Sequence, residues 1–308
     1  MNDTETDSKP PGLVLSRNSR PQTEDSVQLA FVSDIHLTES GEGTWKVLHR
    51  TAERYQQALR DINQRDIDFV QFLGDLTHGG SPEDIERFSR IREILDCPSS
   101  VIPGNHDVPK NYRTEDHLEF QEFRNRFQIS DFPTRKTINN LTVIGLNSAY
   151  QQDGTLDSNW SGKIGKKQRD RLETILASAE NPIVCLHHNL GPLPEHPRES
   201  PWTWFPAKDG NLIIELLDQY DVPLAISGHH HVPTVVNRGG VTEILSPAIC
   251  SFPQSYLIMS SNPNGTTVSL IPLAGKAGMK EAYWLANKGD AIGKGVLDIV
   301  TERLPNDE

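Results

Sequence analysis

The sequence predicts an α/β fold built on two sheets, and two observations lead to this prediction. First, the amino-terminal half alternates β-type runs with amphipathic runs, which places strands at 27–32, 68–73 and 100–102 and helices at 44–63 and 83–95. This βαβαβ order is typical of parallel strands. Second, the chain after residue 231 consists of short alternating runs, at 234–237, 242–245, 255–260 and 266–271. These runs predict antiparallel pairing in a second sheet.

Local signals define the remaining elements. Ser81 and Pro82 form an N-cap followed by proline at the start of the helix 83–95. Asn139 and Asn140 separate two β-type runs, as in a hairpin, and Asn264-Gly265 does the same near the carboxyl end. Between these hairpins the pattern predicts strands at 136–138, 141–146, 182–186 and 223–226 and helices at 166–177 and 211–219.

Three regions differ in composition. Residues 1–26 are polar, acidic and proline-bearing, which predicts a disordered arm because little apolar surface is available to bury. Residues 27–275 carry the alternating pattern and form the main domain. Residues 276–308 have apolar residues at helical spacing that is interrupted at Gly289, Gly293 and Gly295. This pattern predicts a C-terminal helical extension, as one broken or two short helices, that packs on the outside or contributes to a homodimer interface.

Composition excludes several classes of protein. The 308 residues include 42 acidic and 30 basic side chains, and the net charge of -12 disfavours a nucleic-acid partner, which requires clustered Lys and Arg. No apolar stretch approaches the ~20 residues of a membrane span, and the start of the sequence lacks the basic head and apolar run of a signal peptide. Three widely spaced cysteines suit a reducing compartment. We therefore expect a cytoplasmic protein.

Side chains that bind metals follow five of the predicted strands. They are Asp34 and His36, Asp75, Asn105 with His106 and Asp107, His187 with His188, and His229 with His231. Because open α/β sheets place ligand-binding residues at the carboxyl ends of their strands, we expect these side chains to converge.

A mixed set of Asp, His and Asn suits a hydrolytic site for a transition metal. The seven residues Asp34, His36, Asp75, Asn105, His187, His229 and His231 are too many for one tetrahedral ion but suit two ions that share a carboxylate. In Asp34-x-His36 and His229-x-His231, an extended segment would place both side chains of each pair on one side. An isolated Gly-Asn-His-Asp, as at 104–107, is equally typical of a plain turn.

The blocks Asp-x-His, Gly-Asp, Gly-Asn-His-Asp, His and Gly-His-x-His occur here in the order of the calcineurin-like metallophosphoesterase superfamily, which the chain resembles over residues 27–271. Within that superfamily it is most similar to the class III cyclic nucleotide phosphodiesterases and related glycerophosphodiesterases. Ser246-Pro247 and Ser251-Phe252-Pro253 are weaker markers of the same branch. The resemblance implies a four-layer αββα sandwich of two facing mixed sheets flanked by helices.

The resemblance also implies roles for individual residues. One metal would be bound by Asp34, His36, Asp75 and His231, and the other by Asp75, Asn105, His187 and His229, with Asp75 bridging. The ions would be Mn, Fe or Zn, and a hydroxide between them would attack phosphorus. His106 would be the general acid for the leaving group, oriented by Asp107.

Several alternatives remain open at this stage. The small phosphoester substrate could be a 3',5'-cyclic nucleotide, a glycerophosphodiester or a phosphomonoester, and a nuclease or a non-catalytic scaffold is a further alternative. His78 stands where purple acid phosphatases have a ligating tyrosine, which disfavours that class. His188 is a candidate residue on the substrate side or behind the ligands, and Trp202 and Trp204 are candidates for stacking on a nucleobase.

Overall fold

The computed structural model describes residues 12–39, 41, 44–108, 118–149, 160–193 and 202–303. Two six-stranded sheets form its centre. The first sheet has the spatial order β1-β12-β11-β2-β3-β4, and the second has the order β5-β6-β7-β8-β10-β9. The strands are β1 (Leu13–Asn18), β2 (Val27–Val32), β3 (Phe69–Phe72), β4 (Ser99–Val101), β5 (Thr134–Ile138), β6 (Leu141–Gly145), β7 (Pro182–Leu186), β8 (Leu224–Ser227), β9 (Thr234–Arg238), β10 (Val241–Leu245), β11 (Ser255–Asn262) and β12 (Gly265–Pro272).

Both sheets are mixed. In the first, β2, β3 and β4 run parallel, whereas β1, β12, β11 and β2 pair antiparallel. In the second, β6, β7, β8 and β10 run parallel, and β5 and β9 are antiparallel edge strands. The expectation that all four late strands build the second sheet was therefore wrong, because the hairpin of β11 and β12 joins the first sheet beside β2.

Helices cover the outer face of each sheet. The helices are α1 (Thr51–Asn63), α2 (Pro82–Arg92), α3 (Phe120–Arg126), α4 (Lys166–Leu176), α5 (Gly210–Gln219), α6 (Lys276–Lys288) and α7 (Ala291–Arg303). Tyr55 of α1 and Phe88 of α2 pack on Phe72 of the first sheet, and α4 and α5 pack on the second. The predicted α/β fold, a four-layer αββα sandwich, is confirmed.

Strand β2 shows how the layers form. Leu29 and Phe31 point into the core between the sheets, whereas Ala30 and Val32 point into the core beneath the helices. All four side chains are fully buried. A strand that is covered on both faces must be apolar at successive positions, as β2 is from Leu29 to Val32.

The amino-terminal arm predicted for residues 1–26 requires correction. Residues 1–11 lie outside the described residues, but Leu13–Asn18 forms β1 and pairs with β12, with Leu13 opposite Leu270. Most of the β1 side chains are exposed or half-buried, so main-chain hydrogen bonds to the edge of the sheet hold the strand. A composition argument does not detect that contribution.

The C-terminal extension forms two helices, α6 and α7, joined by a turn at Gly289 and Asp290. Val296, Ile299 and Val300 of α7 pack against Trp45 and Val232, which lie in the loops after β2 and β8. Among the described residues, no helix is both long and apolar enough to cross a membrane.

Candidate metal centre

The predicted site residues lie where strands of the two sheets end. Asp34 and His36 follow β2, Asp75 follows β3, and residues 105–107 follow β4, all in the first sheet. His187 follows β7 and residues 229–231 follow β8, in the second sheet. The core between the sheets thus ends in a cluster of carboxylate, amide and imidazole groups.

The backbone of these residues is left-handed rather than extended. The φ angles are 51° at Asp34, 49° at His36, 48° at Asp75, 69° at His229 and 61° at His231. The prediction that extended alternation brings each pair together was therefore wrong. Non-glycine residues in this region cost about 1–2 kcal/mol each, and such conformations concentrate at functional sites.

Asp75 lies between histidines from both sheets. Its Oδ2 is 3.3 Å from Nε2 of His36, and its Oδ1 is 3.4 Å from Nε2 of His187. The backbone N–H of His106 also donates to Oδ1, at 2.8 Å. A side chain on Gly104 would collide with the backbone nitrogen and Oδ1 of Asp75, so the close approach of the two loops requires glycine there.

Asp34 joins the same cluster from β2. Its Oδ2 accepts hydrogen bonds from the Ser33 hydroxyl at 2.5 Å and from the His229 backbone N–H at 3.0 Å. Its Oδ1 lies 3.3 Å from Nε2 of His231, whose Nδ1 is bonded to the Ser251 hydroxyl at 2.7 Å. One carboxylate oxygen of Asp34 therefore fixes the loop and the other faces the site.

Carbonyl groups fix the orientation of two other histidines. Nδ1 of His187 donates to the Leu73 carbonyl at 2.8 Å, and Nε2 lies 3.1 Å from the side-chain oxygen of Asn105. Nδ1 of His106 donates to the His78 carbonyl at 2.7 Å. Because a carbonyl only accepts, Nδ1 of each ring carries the proton and Nε2 is the atom available for chemistry.

Asp107 braces the loops around Asp75. Its carboxylate accepts from the backbone N–H groups of Leu76, Thr77 and Gly104 and from the Thr77 hydroxyl, at 2.9–3.1 Å. Burial and the nearby charge of Asp75 raise the pKa of Asp107 to about 7.

The pKa of His187 and the pKa values of the other site histidines shift in opposite directions. Burial disfavours protonated His187, but the charge and hydrogen bond of Asp75 outweigh burial and raise the pKa of His187 to about 9, so a metal ion at its Nε2 would displace a proton. For the other rings burial is the dominant effect. It lowers the pKa of His36 and His229 well below 6.5 and that of His231 to a lesser degree, so these rings are neutral at pH 7. Burial also penalises the carboxylate of Asp75, but the surrounding histidines outweigh it and hold the pKa of Asp75 well below 3.8. Neutral imidazole and ionised carboxylate are the forms that bind metal ions.

The two remaining histidine candidates lie in different places, His188 in the interior and His78 at the wall of the pocket above the site. His188 is buried, with Nδ1 bonded to the Ser148 hydroxyl at 2.9 Å and its ring 4.6 Å from that of His229. His78 lies on the far side of His36, with Nδ1 of one ring 3.3 Å from Nδ1 of the other. His36, which contacts Asp75 directly, forms a cluster with His78 and His106 in which one ring nitrogen of each residue lies within 4.8 Å of the others.

The structure separates the two tryptophans from the site. Trp202 is 9% exposed and packs on Phe205 and on α7, whereas Trp204 is 48% exposed. Neither is among the described residues that line the pocket above the site. That pocket has a volume of about 350 Å³, and its aromatic walls are Trp45, Trp160 and Phe205.

Sequence reasoning missed three parts of this pocket. Trp45 and Lys46 were predicted in a helix, but α1 begins at Thr51 and both residues lie in the preceding loop. Trp160 carried no motif. The turn between α6 and α7 also lines the pocket, through Gly289 and Asp290, and no periodicity argument could place it there.

A model of the calcineurin-like phosphoesterase family matches residues 27–233 of the sequence. The chain belongs to the calcineurin-like phosphoesterase family. The resemblance seen in the sequence blocks is thereby confirmed, and with it the assignment of the protein as a phosphoester hydrolase. Members of this family use divalent metal ions, and the clustered carboxylates and imidazoles are candidate ligands.

Relatives with curated names are phosphodiesterases. A probable cyclic nucleotide phosphodiesterase of a Synechococcus strain is 26% identical over 254 residues, which cover 80% of this chain and 92% of the relative. A 3',5'-cyclic adenosine monophosphate phosphodiesterase of Vibrio vulnificus is 23% identical over 74% of this chain and 78% of its own length. A probable glycerophosphodiester phosphodiesterase of Arcobacter nitrofigilis is 33% identical, over 39% of this chain and 43% of its own.

Solved structures share the fold. A dimetal phosphatase from Danio rerio superposes with a TM-score of 0.61 and 13% identity, covering 80% of this chain and 99% of its own. A purple acid phosphatase from yellow lupin gives a TM-score of 0.52 and 16% identity, over 82% of this chain and 52% of its own. At this identity the likeness supports the fold alone.

Proposed function

We propose that this protein hydrolyses phosphodiesters with two divalent metal ions, and that 3',5'-cyclic nucleotides are its leading substrates. One ion is bound by Asp34, His36, Asp75 and His231, and the other by Asp75, Asn105, His187 and His229. The observation that carries the proposal is the position of Asp75, whose two carboxylate oxygens face histidines from different sheets.

The donor set fits such ions. One ligand atom from each of Asp34, Asp75 and His187 lies within 4.8 Å of the others. Nε2 of His229 is buried and has no hydrogen-bond partner among the described residues, which is costly unless an ion uses its lone pair. Imidazole with carboxylate and amide oxygens favours Mn, Fe or Zn over Ca.

Divalent ions of this kind lower the pKa of a bound water, which then serves as the nucleophile, and their positive charge stabilises the phosphoryl oxygens. As the imidazolium, with a proton on each ring nitrogen, His106 would donate the Nε2 proton to the departing ester oxygen and keep the Nδ1 proton in its hydrogen bond to the His78 carbonyl. Asp107 would act indirectly, since the hydrogen bonds it accepts hold the loops of Asp75 and His106 in register. This role for Asp107 differs from direct orientation of the His106 ring.

Two further observations support a small diester as substrate. Two relatives that match over most of their length are named a probable cyclic nucleotide phosphodiesterase and a 3',5'-cyclic adenosine monophosphate phosphodiesterase. The pocket of about 350 Å³ has aromatic walls that suit a nucleobase. A glycerophosphodiester is the second candidate, because a probable glycerophosphodiester phosphodiesterase of Arcobacter nitrofigilis is 33% identical over 124 residues.

Hydrolysis of 3',5'-cyclic AMP by the manganese-loaded protein tests the proposal, with glycerophosphocholine, p-nitrophenyl phosphate and single-stranded DNA assayed in parallel. We expect the cyclic nucleotide to give the highest kcat/KM and the DNA to remain intact, because the net charge of -12 disfavours a long polyanion. Preference for the monoester would overturn the assignment of substrate class. Failure to hydrolyse any of the four would favour the scaffold alternative.

A further inference from the structure

Among the described residues of the loop before α1, Lys46 is the cationic residue whose side chain contacts the candidate metal centre. Its Nζ lies 3.0 Å from Nε2 of His36 and 3.4 Å from Nδ1 of the same ring. The residue also lines the pocket. No family block or expected site residue includes it.

We propose that Lys46 binds the phosphoryl group of the substrate and that α7 positions it by packing against its neighbour Trp45. The proposal rests on the proposed function, because it names a further residue for the same site. Under this proposal, the C-terminal extension contributes to substrate binding.

Competition for one atom directs Lys46 toward the substrate. Nε2 of His36 also faces Asp75, at 3.3 Å, and belongs to the proposed ligand set. A ring nitrogen has a single lone pair, so an ammonium group and a metal ion are alternative partners for it. When an ion uses Nε2, charge repulsion directs Nζ into the pocket, where the phosphoryl oxygens are its natural acceptors.

The loop that carries Lys46 is fixed on the side of the main domain. The backbone N–H of Lys46 donates to the Thr44 hydroxyl at 3.1 Å, and that of Val47 donates to the Cys250 carbonyl at 2.6 Å. The Trp45 ring lies 5.0 Å from the ring of His231, which belongs to the proposed ligand set. The loop therefore has little freedom to move relative to the site.

The other side of the loop is held by α7. Trp45 is buried against Val296, Ile299 and Val300. A Cβ at Gly293 would lie 2.5 Å from Cβ of Trp45 and 2.7 Å from its Cγ, and a Cβ at Gly289 would also collide with Trp45. Gly289 and Gly293, two of the glycines that interrupt the helical pattern, thus leave the space that Trp45 occupies.

Binding of inorganic phosphate to the manganese-loaded protein, measured by calorimetry, tests the assignment without turnover. The variant Lys46→Met keeps the aliphatic length and removes the charge, and we expect its Kd for phosphate to rise about tenfold or more, as for loss of a charge-assisted hydrogen bond. Lys294→Met, at an exposed position of α7, is the control and should bind like the parent. Metal content, measured by plasma mass spectrometry, should be equal in all three proteins.

Three results would overturn the assignment. They are an unchanged phosphate Kd in Lys46→Met, a loss of metal from that variant, and no phosphate binding by the parent. Turnover of bis(p-nitrophenyl) phosphate by the parent is measured separately. If the parent binds phosphate through Lys46 but hydrolyses nothing, the proposed function fails and the assignment of Lys46 stands.

The positioning of Lys46 by α7 is tested by Gly293→Ala. Alanine favours the helix, so the substitution acts chiefly by pushing Trp45 and the loop out of position. We expect a severalfold weaker affinity for phosphate at full metal content. The double variant Lys46→Met/Gly293→Ala should bind phosphate no more weakly than Lys46→Met alone, because both changes act through one ammonium group. Additive losses would contradict the positioning of Lys46 by α7.

Discussion

The chemistry of the site depends on which atom each side chain presents. Nδ1 of His187 donates to the Leu73 carbonyl and Nδ1 of His106 donates to the His78 carbonyl, which leaves Nε2 of each ring available for chemistry. The two carboxylate oxygens of Asp34 also have different partners. Oδ2 accepts a hydrogen bond from the backbone N–H of His229, and Oδ1 faces His231. Because these hydrogen bonds already orient the side chains in the folded protein, little reorganisation free energy is required when substrate binds, which is the basis of preorganised catalysis.

The role of His106 is open to a direct test. We expect His106→Ala to lower kcat for 3',5'-cyclic AMP by about 100-fold or more, because an alkoxide leaving group requires a proton. The loss for bis(p-nitrophenyl) phosphate should be much smaller, because p-nitrophenolate leaves without one. Steady-state kinetics on both substrates gives the comparison.

His49→Ala is the matched control for that experiment, since His49 is exposed and paired with Glu281 on the surface. It should leave both rates unchanged. Equal losses on the two substrates in His106→Ala would contradict general acid catalysis by His106.

The residue scale is also where the sequence was most informative. Asp34, Asp75 and His187 were predicted to meet because each follows a strand, and their ligand atoms do lie within 4.8 Å of one another. The left-handed backbone at Asp34 and His231 could not be predicted, because it belongs to loops whose conformation is set by contacts with other loops. Lys46 and Trp45 were missed because nothing in their local sequence indicates the distant helix that holds Trp45.

At the scale of elements, β10 and the loop after β7 depend on one buried ion pair. Oε2 of Glu243 in β10 accepts from Nε of Arg238 at 2.9 Å, and Oε1 accepts from the Leu190 backbone N–H at 2.7 Å. Arg238 also donates to the carbonyls of Gly191 and Pro192. Burial raises the pKa of Glu243, and the charge of Arg238 partly offsets that effect.

We therefore expect Arg238→Met to lower the free energy of unfolding by about 3–5 kcal/mol at pH 8, as when one partner of a buried pair is removed. The pKa of Glu243 is higher in the folded state than in the unfolded state, so the ionised carboxylate destabilises the folded protein at every pH above the folded-state pKa. As the pH falls through that pKa, Glu243 takes up a proton and the destabilisation is lost. The loss should accordingly be smaller at pH 5. Urea unfolding at the two pH values measures it.

The exposed arginine of β5 provides the control, as Arg135→Met. This change should alter the free energy of unfolding by less than about 0.5 kcal/mol at either pH. A loss in Arg238→Met that grows toward pH 5 would contradict the account of Glu243.

Most elements could be predicted from periodicity, and the exceptions have physical reasons. Strand β7 was placed at 182–186, as the structure has it, because its apolar residues are buried in both adjoining cores. Strand β1 was missed because none of its six side chains is fully buried, and the strand is held mainly by backbone pairing with β12. The division of the late hairpins between the sheets was missed because local alternation carries no information on which sheet a strand joins.

In the molecule as a whole, residues from both sheets form the candidate metal centre. The first sheet supplies Asp34, His36, Asp75 and Asn105, the second supplies His187, His229 and His231, and Asp75 lies between the two groups. The C-terminal helices add a wall to the pocket through the turn at Gly289 and Asp290. The central claim is therefore that Asp75 links two metal ions in one hydrolytic site.

Hydrolysis of bis(p-nitrophenyl) phosphate and p-nitrophenyl phosphate by metal-stripped protein reloaded with Mn, with Asp75→Ala alongside, tests that claim most directly. We expect metal-dependent diesterase activity in the parent that vanishes in Asp75→Ala, together with loss of bound metal from the variant. Parent-like activity and metal content in Asp75→Ala would contradict it.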